Sequence, residues 1–126
     1  MKYITMEQFN KADTKVQQAI LEWWKPSNHD LICYPESGEV ELFDNRIMTV
    51  ESVKEEYYPL LTEGQLREFI ENRKDCKIDM MYSYINCGYE IFVESRCFEI
   101  KSDNLLLALW QVANKIIKGD VGNEEM

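Results

Sequence analysis

Residues 78–101, IDMMYSYINCGYEIFVESRCFEIK, decide the fold class of this chain. Over 78–84 apolar and polar side chains alternate, which is the period of a strand with one buried face. Residues 86–88 have the composition of a turn, and the alternation resumes over 89–94. Residues 96–101 can add one more strand. This stretch therefore predicts antiparallel strands joined by short turns.

Helical patterns flank these strands on both sides. Residues 62–65 form a Thr-x-x-Gln capping box, and the apolar side chains that follow within 66–74 share one helical face. A last helix is predicted to begin at Ser102 or Asp103, which are good N-cap residues, and to end at Gly119. Its apolar face comprises Leu105, Leu106, Leu109, Val112, Ala113 and Ile116.

The N-terminal half predicts a helical segment followed by a hairpin. Residues 5–8 form a second capping box, and Asp13 can cap a new segment, so 6–25 is expected as one broken helix or two consecutive helices. Strands are expected at 31–34 and 40–43, because turn residues separate two short apolar runs there.

The whole pattern predicts an α+β protein. Residues 46–50 are predicted as a further strand, while 51–58 fits either helix or loop. The order helix, strands, helix, strands, helix is typical of one antiparallel sheet of hairpins with helices covering a face. We expect a single domain over 1–119, its sheet covered by N-terminal, middle and C-terminal helices. A disordered acidic tail is expected over 120–126.

Composition narrows the functional classes. The chain has 126 residues and a net charge of −9, which argues against direct binding of nucleic acid and of an anionic membrane surface. No apolar run approaches the length of a membrane span, and the first residues lack the pattern of a signal peptide. These features predict a cytoplasmic protein.

Few residues suit catalysis. The four cysteines form no Cys-x-x-Cys pair, and they are expected to be free thiols. His29 is the sole histidine, so a site with two imidazole ligands cannot form within one chain, and we expect His29 in a solvated turn. No glycine-rich phosphate loop is present. The sequence therefore predicts no enzyme, no catalytic residues, no cofactor and no metal.

The acidic residues are concentrated in one segment. Residues 31–61 contain seven acidic and two basic side chains, which is more than half of the net negative charge of the chain. This segment is either a solvated face or a surface that binds a Lys/Arg-rich host protein. The predicted partner-binding residues are Glu36, Glu39, Glu41, Asp44, Glu51, Glu55, Glu56, Trp24, Tyr57 and Tyr58.

Three other hypotheses stay open at this point. A small-ligand binder, such as a sponge for a nucleotide signal, could use tyrosines with Arg46, Arg67 or Arg96. A hydrolase could hold a divalent metal by carboxylates alone. A homodimer could form through Trp110 and Ile117, which lie off the main apolar stripe of the last helix.

Two stretches carry a family resemblance. They are MEQFNKADTKVQQAILEWWKPSNHDLICY over 6–34, and PLLTEGQLREFIENRKDCKIDMMYSYINCGYEIFVES over 59–95 followed by LLLALWQVANKIIKG over 105–119. Together they resemble small proteins encoded by phages and prophages of Gram-positive bacteria, a group with no assigned activity. The resemblance implies that the protein is located in the cytoplasm of a host cell. Small acidic phage proteins without enzymatic motifs are often inhibitors of host defence, including CRISPR effectors, whose grooves are basic.

Overall fold

The computed structural model describes residues 2–124, and it describes no side chain beyond Gly119. The described residues form five helices and two three-stranded antiparallel sheets, which confirms the predicted α+β class. The strands lie in two sheets and not in the one sheet expected. The chain divides into two compact units, which we name the N-terminal unit, Ile4–Leu61, and the C-terminal unit, Thr62–Met126 with Met1–Tyr3. The predicted domain bounds, 1–119, stay a prediction.

The N-terminal unit contains three helices and three short strands. Their bounds are α1 Met6–Lys11, α2 Thr14–Trp23, β1 Leu31–Cys33, β2 Val40–Leu42, α3 Val50–Glu56 and β3 Tyr58–Pro59. Strand β1 pairs antiparallel with both β2 and β3 and so lies in the middle of this first sheet. The predicted hairpin of β1 and β2 is confirmed, and β3 is added to it from beyond α3.

Side-chain caps define the first two helices. The Thr5 hydroxyl accepts from the backbone N–H of Gln8, and the Gln8 side chain accepts from the backbone N–H of Thr5, so the predicted capping box is confirmed. The Asp13 carboxylate accepts from the backbone N–H of Lys15 at 2.8 Å and begins α2. The segment is therefore two consecutive helices, the second ending at Trp23.

The strand predicted over 46–50 is wrong. The Asp44 carboxylate accepts from the backbone N–H of Arg46 at 2.9 Å, which closes a turn in its place. The Thr49 hydroxyl then accepts from the backbone N–H of Ser52 at 3.1 Å and begins α3. Such hydrogen bonds between side chains and nearby backbone compete with strand pairing, and the apolar pattern does not reveal them.

A cluster of buried apolar residues lies in the N-terminal unit. It comprises Trp24, Ile32, Phe43 and Val53, with Leu21, Trp23, Met48 and Tyr57 packed against it. Trp24 is 1% exposed, and its indole N–H donates to the Asp30 carboxylate at 3.2 Å. Trp24 therefore belongs to the core and not to the surface on which a partner-binding residue must lie.

In the C-terminal unit, the three strands of the second sheet lie between two helices in chain order. Its elements are α4 Glu63–Lys74, β4 Asp79–Ser83, β5 Gly88–Val93, β6 Arg96–Ile100 and α5 Leu105–Glu124. Strand β5 pairs antiparallel with β4 and β6, so the three strands that the alternation predicts are confirmed. Ile91 and Phe98 are buried on one face of this sheet, while Met81 and Phe92 lie exposed on the other.

Helix α4 is fixed at both ends. Thr62 and Gln65 exchange the hydrogen bonds of a capping box, as predicted. At the other end Asp75 adopts a left-handed conformation with φ of 51°. The Glu71 carboxylate accepts from the backbone N–H of Ile78 at 3.0 Å, which ties the helix to the start of the strand region. That N–H, helped by the nearby Lys77 charge, lowers the pKa of Glu71 against the opposing effect of burial.

Helix α5 differs from its prediction at both ends. Asn104 is the N-cap in place of Ser102 or Asp103, because its side chain accepts from the backbone N–H of Leu107 at 3.2 Å. The helix continues to Glu124, past Gly119, where the sequence predicts its end. Residues 125–126 of the predicted acidic tail lie outside the described residues.

The contact expected for a homodimer does not lie on the surface. Trp110 is 9% exposed and Ile117 is 1% exposed, so both side chains are buried. A wide apolar face on α5, broader than the stripe that the spacing predicts, accounts for their burial.

Candidate protein-binding surface

The first sheet brings two tyrosines together. Cys33 pairs with Tyr58 across β1 and β3, so Tyr34 and Tyr57 are the next positions in register. Their ring centroids lie 5.5 Å apart at an interplanar angle of 53°. Both side chains are half-buried, and the pair joins the end of α3 to the β1–β2 turn.

Three glutamates act electrostatically on these two tyrosines. The Tyr34 hydroxyl donates to the Glu36 carboxylate at 3.5 Å, and the Glu36 charge is the main reason that the pKa of Tyr34 is raised. Burial raises the pKa of Tyr57, followed by the charge of Glu41, and Glu56 acts on both tyrosines. Negative charge near a phenol disfavours its ionised form. We name these five residues the tyrosine–glutamate cluster.

Glu41 is the most constrained member of the tyrosine–glutamate cluster. It occupies the middle of β2, opposite Ile32, on the face that carries the core. Its Oε2 atom is buried and accepts no hydrogen bond from the part of the chain that the structure describes. A shielded carboxylate oxygen without a donor is unfavourable, so a cation or N–H group supplied from outside would stabilise it.

The cluster also lacks internal cations. Of the seven acidic residues predicted to bind a partner, Asp44 forms an ion pair, with Arg46 at 2.8 Å. The Arg46 guanidinium holds the pKa of Asp44 below its usual value. Among residues 2–124, none of the other six forms an ion pair within 4.0 Å. Their charges are therefore available to a partner, whereas that of Asp44 is largely compensated.

The remaining predicted residues lie elsewhere. Glu51 and Glu55 are exposed on α3, and neither contributes to the raised pKa of Tyr34 or Tyr57. Tyr58 packs its ring against Phe9 of α1, with centroids 5.0 Å apart. Glu39 is exposed directly before β2. The structure thus gathers Glu36, Glu41, Glu56 and Tyr57 from the predicted set and separates the others from them.

Sequence reasoning missed the apolar part of this surface. Val40 and Leu42, on β2, are 47% and 53% exposed, and Ile47 in the following turn is 76% exposed. The signal was the alternation of apolar and acidic residues in Gly-Glu-Val-Glu-Leu-Phe, 38–43. We expect apolar residues of a strand to face the core, but in β2 the middle glutamate faces it instead.

Most polar side chains of a groove beside β2 already have partners. It has a volume of about 460 Å³ and is lined by Asn28, His29, Leu42, Phe43, Asp44, Arg46 and Ile47. The Asn28 side chain accepts from the backbone N–H of Asn45 at 2.8 Å, and Arg46 binds Asp44. His29 lies exposed in a turn with φ of 77°, as the sequence predicts.

The arginines considered for a nucleotide site also have partners. Arg67 donates to the Ile78 carbonyl at 3.1 Å and pairs with Glu71. The guanidinium of Arg96 lies 4.5 Å from the centroid of the Phe98 ring. With Arg46 on Asp44, each of the three arginines already has a partner among the described residues.

Three further features concern metal binding, the cysteines and membrane-spanning helices. Among the described residues, no group of three or more His, Cys, Asp or Glu side chains is placed to hold a metal ion. The four cysteines are free thiols, with Cys33 buried and Cys97 exposed. None of the helices over residues 2–124 combines the length and apolarity that crossing a membrane requires.

The comparisons with family models, curated proteins and solved structures gave no match to this chain. Fold and surface together define a small acidic α+β protein in which half-exposed apolar residues adjoin uncompensated carboxylates.

The tyrosine–glutamate cluster predicts a pH dependence of stability. The folded state raises the pKa of Tyr34 and Tyr57 and so holds their protons more tightly than the unfolded state. Stability is then unaffected by these groups below the usual tyrosine pKa of about 10 and falls as pH rises above it. The Glu41→Gln/Glu56→Gln variant is expected to show a shallower fall, measured by thermal unfolding across that range. Glu22→Gln, exposed on α2, is the control, and equal slopes for all three proteins would contradict the assignment.

Proposed function

We propose that this protein is an acidic interaction protein that binds a basic surface of another protein through the tyrosine–glutamate cluster and the adjacent β2 strand. One observation carries the proposal. The Glu36 carboxylate accepts from the Tyr34 hydroxyl at 3.5 Å, and Glu41 and Glu56 add negative charge near the same tyrosine pair. None of the three forms an ion pair within 4.0 Å among the described residues. Converging like charges repel one another, and a bound Lys or Arg side chain relieves that repulsion.

The neighbouring side chains suit an interface. Tyr34 and Tyr57 present apolar rings with polar ends, and they are held against each other, so little conformational entropy is lost on binding. Val40 and Leu42 add half-exposed apolar area on the opposite face of β2. Aromatic side chains bordered by charge, with apolar area nearby, are typical of a binding hot spot.

The chemistry favours one class of partner. Lys/Arg-rich surfaces on proteins commonly serve to bind nucleic acid, whose charge the acidic cluster imitates. We therefore propose that this protein occupies such a surface and excludes nucleic acid from it. With the resemblance to small phage-encoded proteins, the proposed target is a host protein that handles nucleic acid, including a defence effector. The cytoplasm of the host cell and the absence of enzymatic activity are parts of the same proposal.

A charge-reversal experiment tests the proposed function. The cluster variant, Glu36→Lys/Glu39→Lys/Glu56→Lys, reverses two exposed residues of the cluster together with Glu39, which lies directly before β2. It is expected to lose at least tenfold in affinity, because it turns the partner-facing charge positive. The matched control, Glu22→Lys/Glu51→Lys/Glu55→Lys, changes net charge equally at exposed positions outside the cluster. Each tagged protein is used for capture from a Gram-positive lysate at low and high salt, and retained proteins are identified by mass spectrometry.

The comparison between variants decides the outcome. Basic nucleic-acid-binding proteins are expected on the wild type and on the control variant, and added DNA or RNA is expected to release them. High salt should weaken their retention, since exposed charges are screened over about 10 Å at 0.1 M. Equal retention by the cluster variant and the wild type would show that the carboxylates do not form the interface.

A further inference from the structure

The outer side of β2 is an open sheet edge. Leu31 and Leu42 are partners in the register of β1 and β2, and the Leu31 carbonyl accepts instead from the backbone N–H of Leu60, on the β3 side. Hydrogen-bonding direction alternates along antiparallel strands, so the backbone groups of Leu42 point away from β1, as do those of Val40. The bonds from Phe43 to Asp30 and from Tyr34 to Glu39 fit this alternation.

Side chains give this edge two chemically distinct faces. Val40 and Leu42 lie on one face of β2 and are about half exposed, whereas Glu41 lies on the other with the tyrosine–glutamate cluster. A strand added beside β2 would place its own side chains in register with both faces. Apolar residues would cover Val40 and Leu42, and Lys or Arg residues would face Glu41.

The geometry points to antiparallel addition of a partner strand to β2, by an extended segment that alternates apolar and basic residues. This inference rests on the proposed function and specifies the form of its partner. Backbone hydrogen bonds to Val40 and Leu42 would supply affinity, and the two faces would supply specificity. A donor on the basic face would also reach the side of the sheet on which the buried Glu41 oxygen lacks a partner.

The charge pattern excludes a second copy of this chain as the favoured occupant. Pairing two β2 strands edge to edge would bring Glu41 near the Glu39 and Glu41 of the other copy. Like charges across paired strands are destabilising, and inward-pointing charges on edge strands are a common protection against self-association. The same charges attract a basic strand, so they favour a basic partner over a second copy of this chain.

A model peptide tests the strand addition directly. The probe is an acetylated and amidated Lys-Val-Lys-Val-Lys-Val-Lys peptide, and binding to the full chain is measured by calorimetry. In antiparallel addition the valines lie opposite Val40 and Leu42, and their amides face β2. N-methylation of the valine amides is therefore expected to abolish binding, whereas N-methylation of the lysine amides changes it less than threefold.

A protein variant provides the complementary test. Val40→Pro removes the outward N–H and should leave the fold intact, because edge positions tolerate proline where the N–H faces solvent. We expect at least tenfold weaker peptide binding, with Val40→Thr, which keeps the N–H, close to wild type. Thermal unfolding checks that the variants fold. If Val40→Pro does not fold, Leu42→Pro takes its place.

Each outcome separates the two proposals. Absence of peptide binding to the wild type, or equal binding by Val40→Pro, would overturn strand addition and leave the proposed function to the lysate experiment. Loss of binding with the lysine-methylated peptide alone would overturn the antiparallel register. A cluster variant that retains its lysate partners would overturn the proposed function, whatever the peptide does.

Discussion

The Gly88→Ala variant is expected to lose about 3 kcal/mol of unfolding free energy, the upper part of the range for overpacking. Gly88 is buried at the start of β5, where a Cβ would overlap the carbonyl of Ile100 and lie 2.9 Å from the Cα of Lys101. Both neighbours are backbone, and the pairing of Tyr89 with Ile100 holds them in place. Neither side can move away without breaking the second sheet.

Gly64→Ala is the matched control for this variant. Gly64 lies in the first turn of α4, and a Cβ there would meet nothing within 4 Å. The same added methyl group should stabilise the protein by about 0.5 kcal/mol, since alanine restricts the unfolded chain more than glycine does. Denaturant unfolding of both variants measures the difference. Equal midpoints would show that the Ile100 backbone does not lie against Gly88.

The Trp24→Ala variant is expected to lose about 4 kcal/mol, as large-to-small substitutions of buried aromatic residues do. Trp24 is the largest residue of the N-terminal core, packed with Ile32, Phe43 and Val53. Its removal leaves a cavity, and the Asp30 carboxylate loses the indole donor. Such a loss is a large fraction of the roughly 5–15 kcal/mol by which a typical domain is stabilised.

The comparison with an exposed residue distinguishes core from interface. Ile47→Ala, at a side chain 76% exposed, should change the free energy of unfolding by no more than about 0.5 kcal/mol. Trp24→Phe should fall between the two variants, because it keeps most of the ring and loses the N–H donor. If Trp24→Ala unfolded like wild type while partner binding disappeared, Trp24 would be an interface residue after all.

Much of the fold could be predicted because its signals are local. The alternation over 78–101 predicts three strands, and the capping boxes at Thr5 and Thr62 predict the first turns of two helices. Where local hydrogen bonds compete with the apolar pattern, the prediction failed. The turn at Asp44 and the cap at Thr49 convert an apparent strand into a turn and a helix.

The candidate site could likewise be predicted only in part. The concentration of negative charge between 31 and 61 follows from composition alone. Which carboxylates converge depends on the pairing of β1 with β3, which joins Tyr34 to Tyr57 from opposite ends of the segment. The same dependence explains why Glu41 belongs to the cluster while Glu51 and Glu55 do not.

The α+β class can be read from the sequence alone, as can the helix starts at Thr5 and Thr62 and the sign and location of the excess charge, because each depends on neighbouring residues. The three-dimensional structure is needed to show that Trp24 is buried, that Glu41 faces the core side of β2 and that Val40 and Leu42 lie on an open edge. Those features depend on which strand lies beside β1, and pairing between distant segments is not encoded in any local pattern.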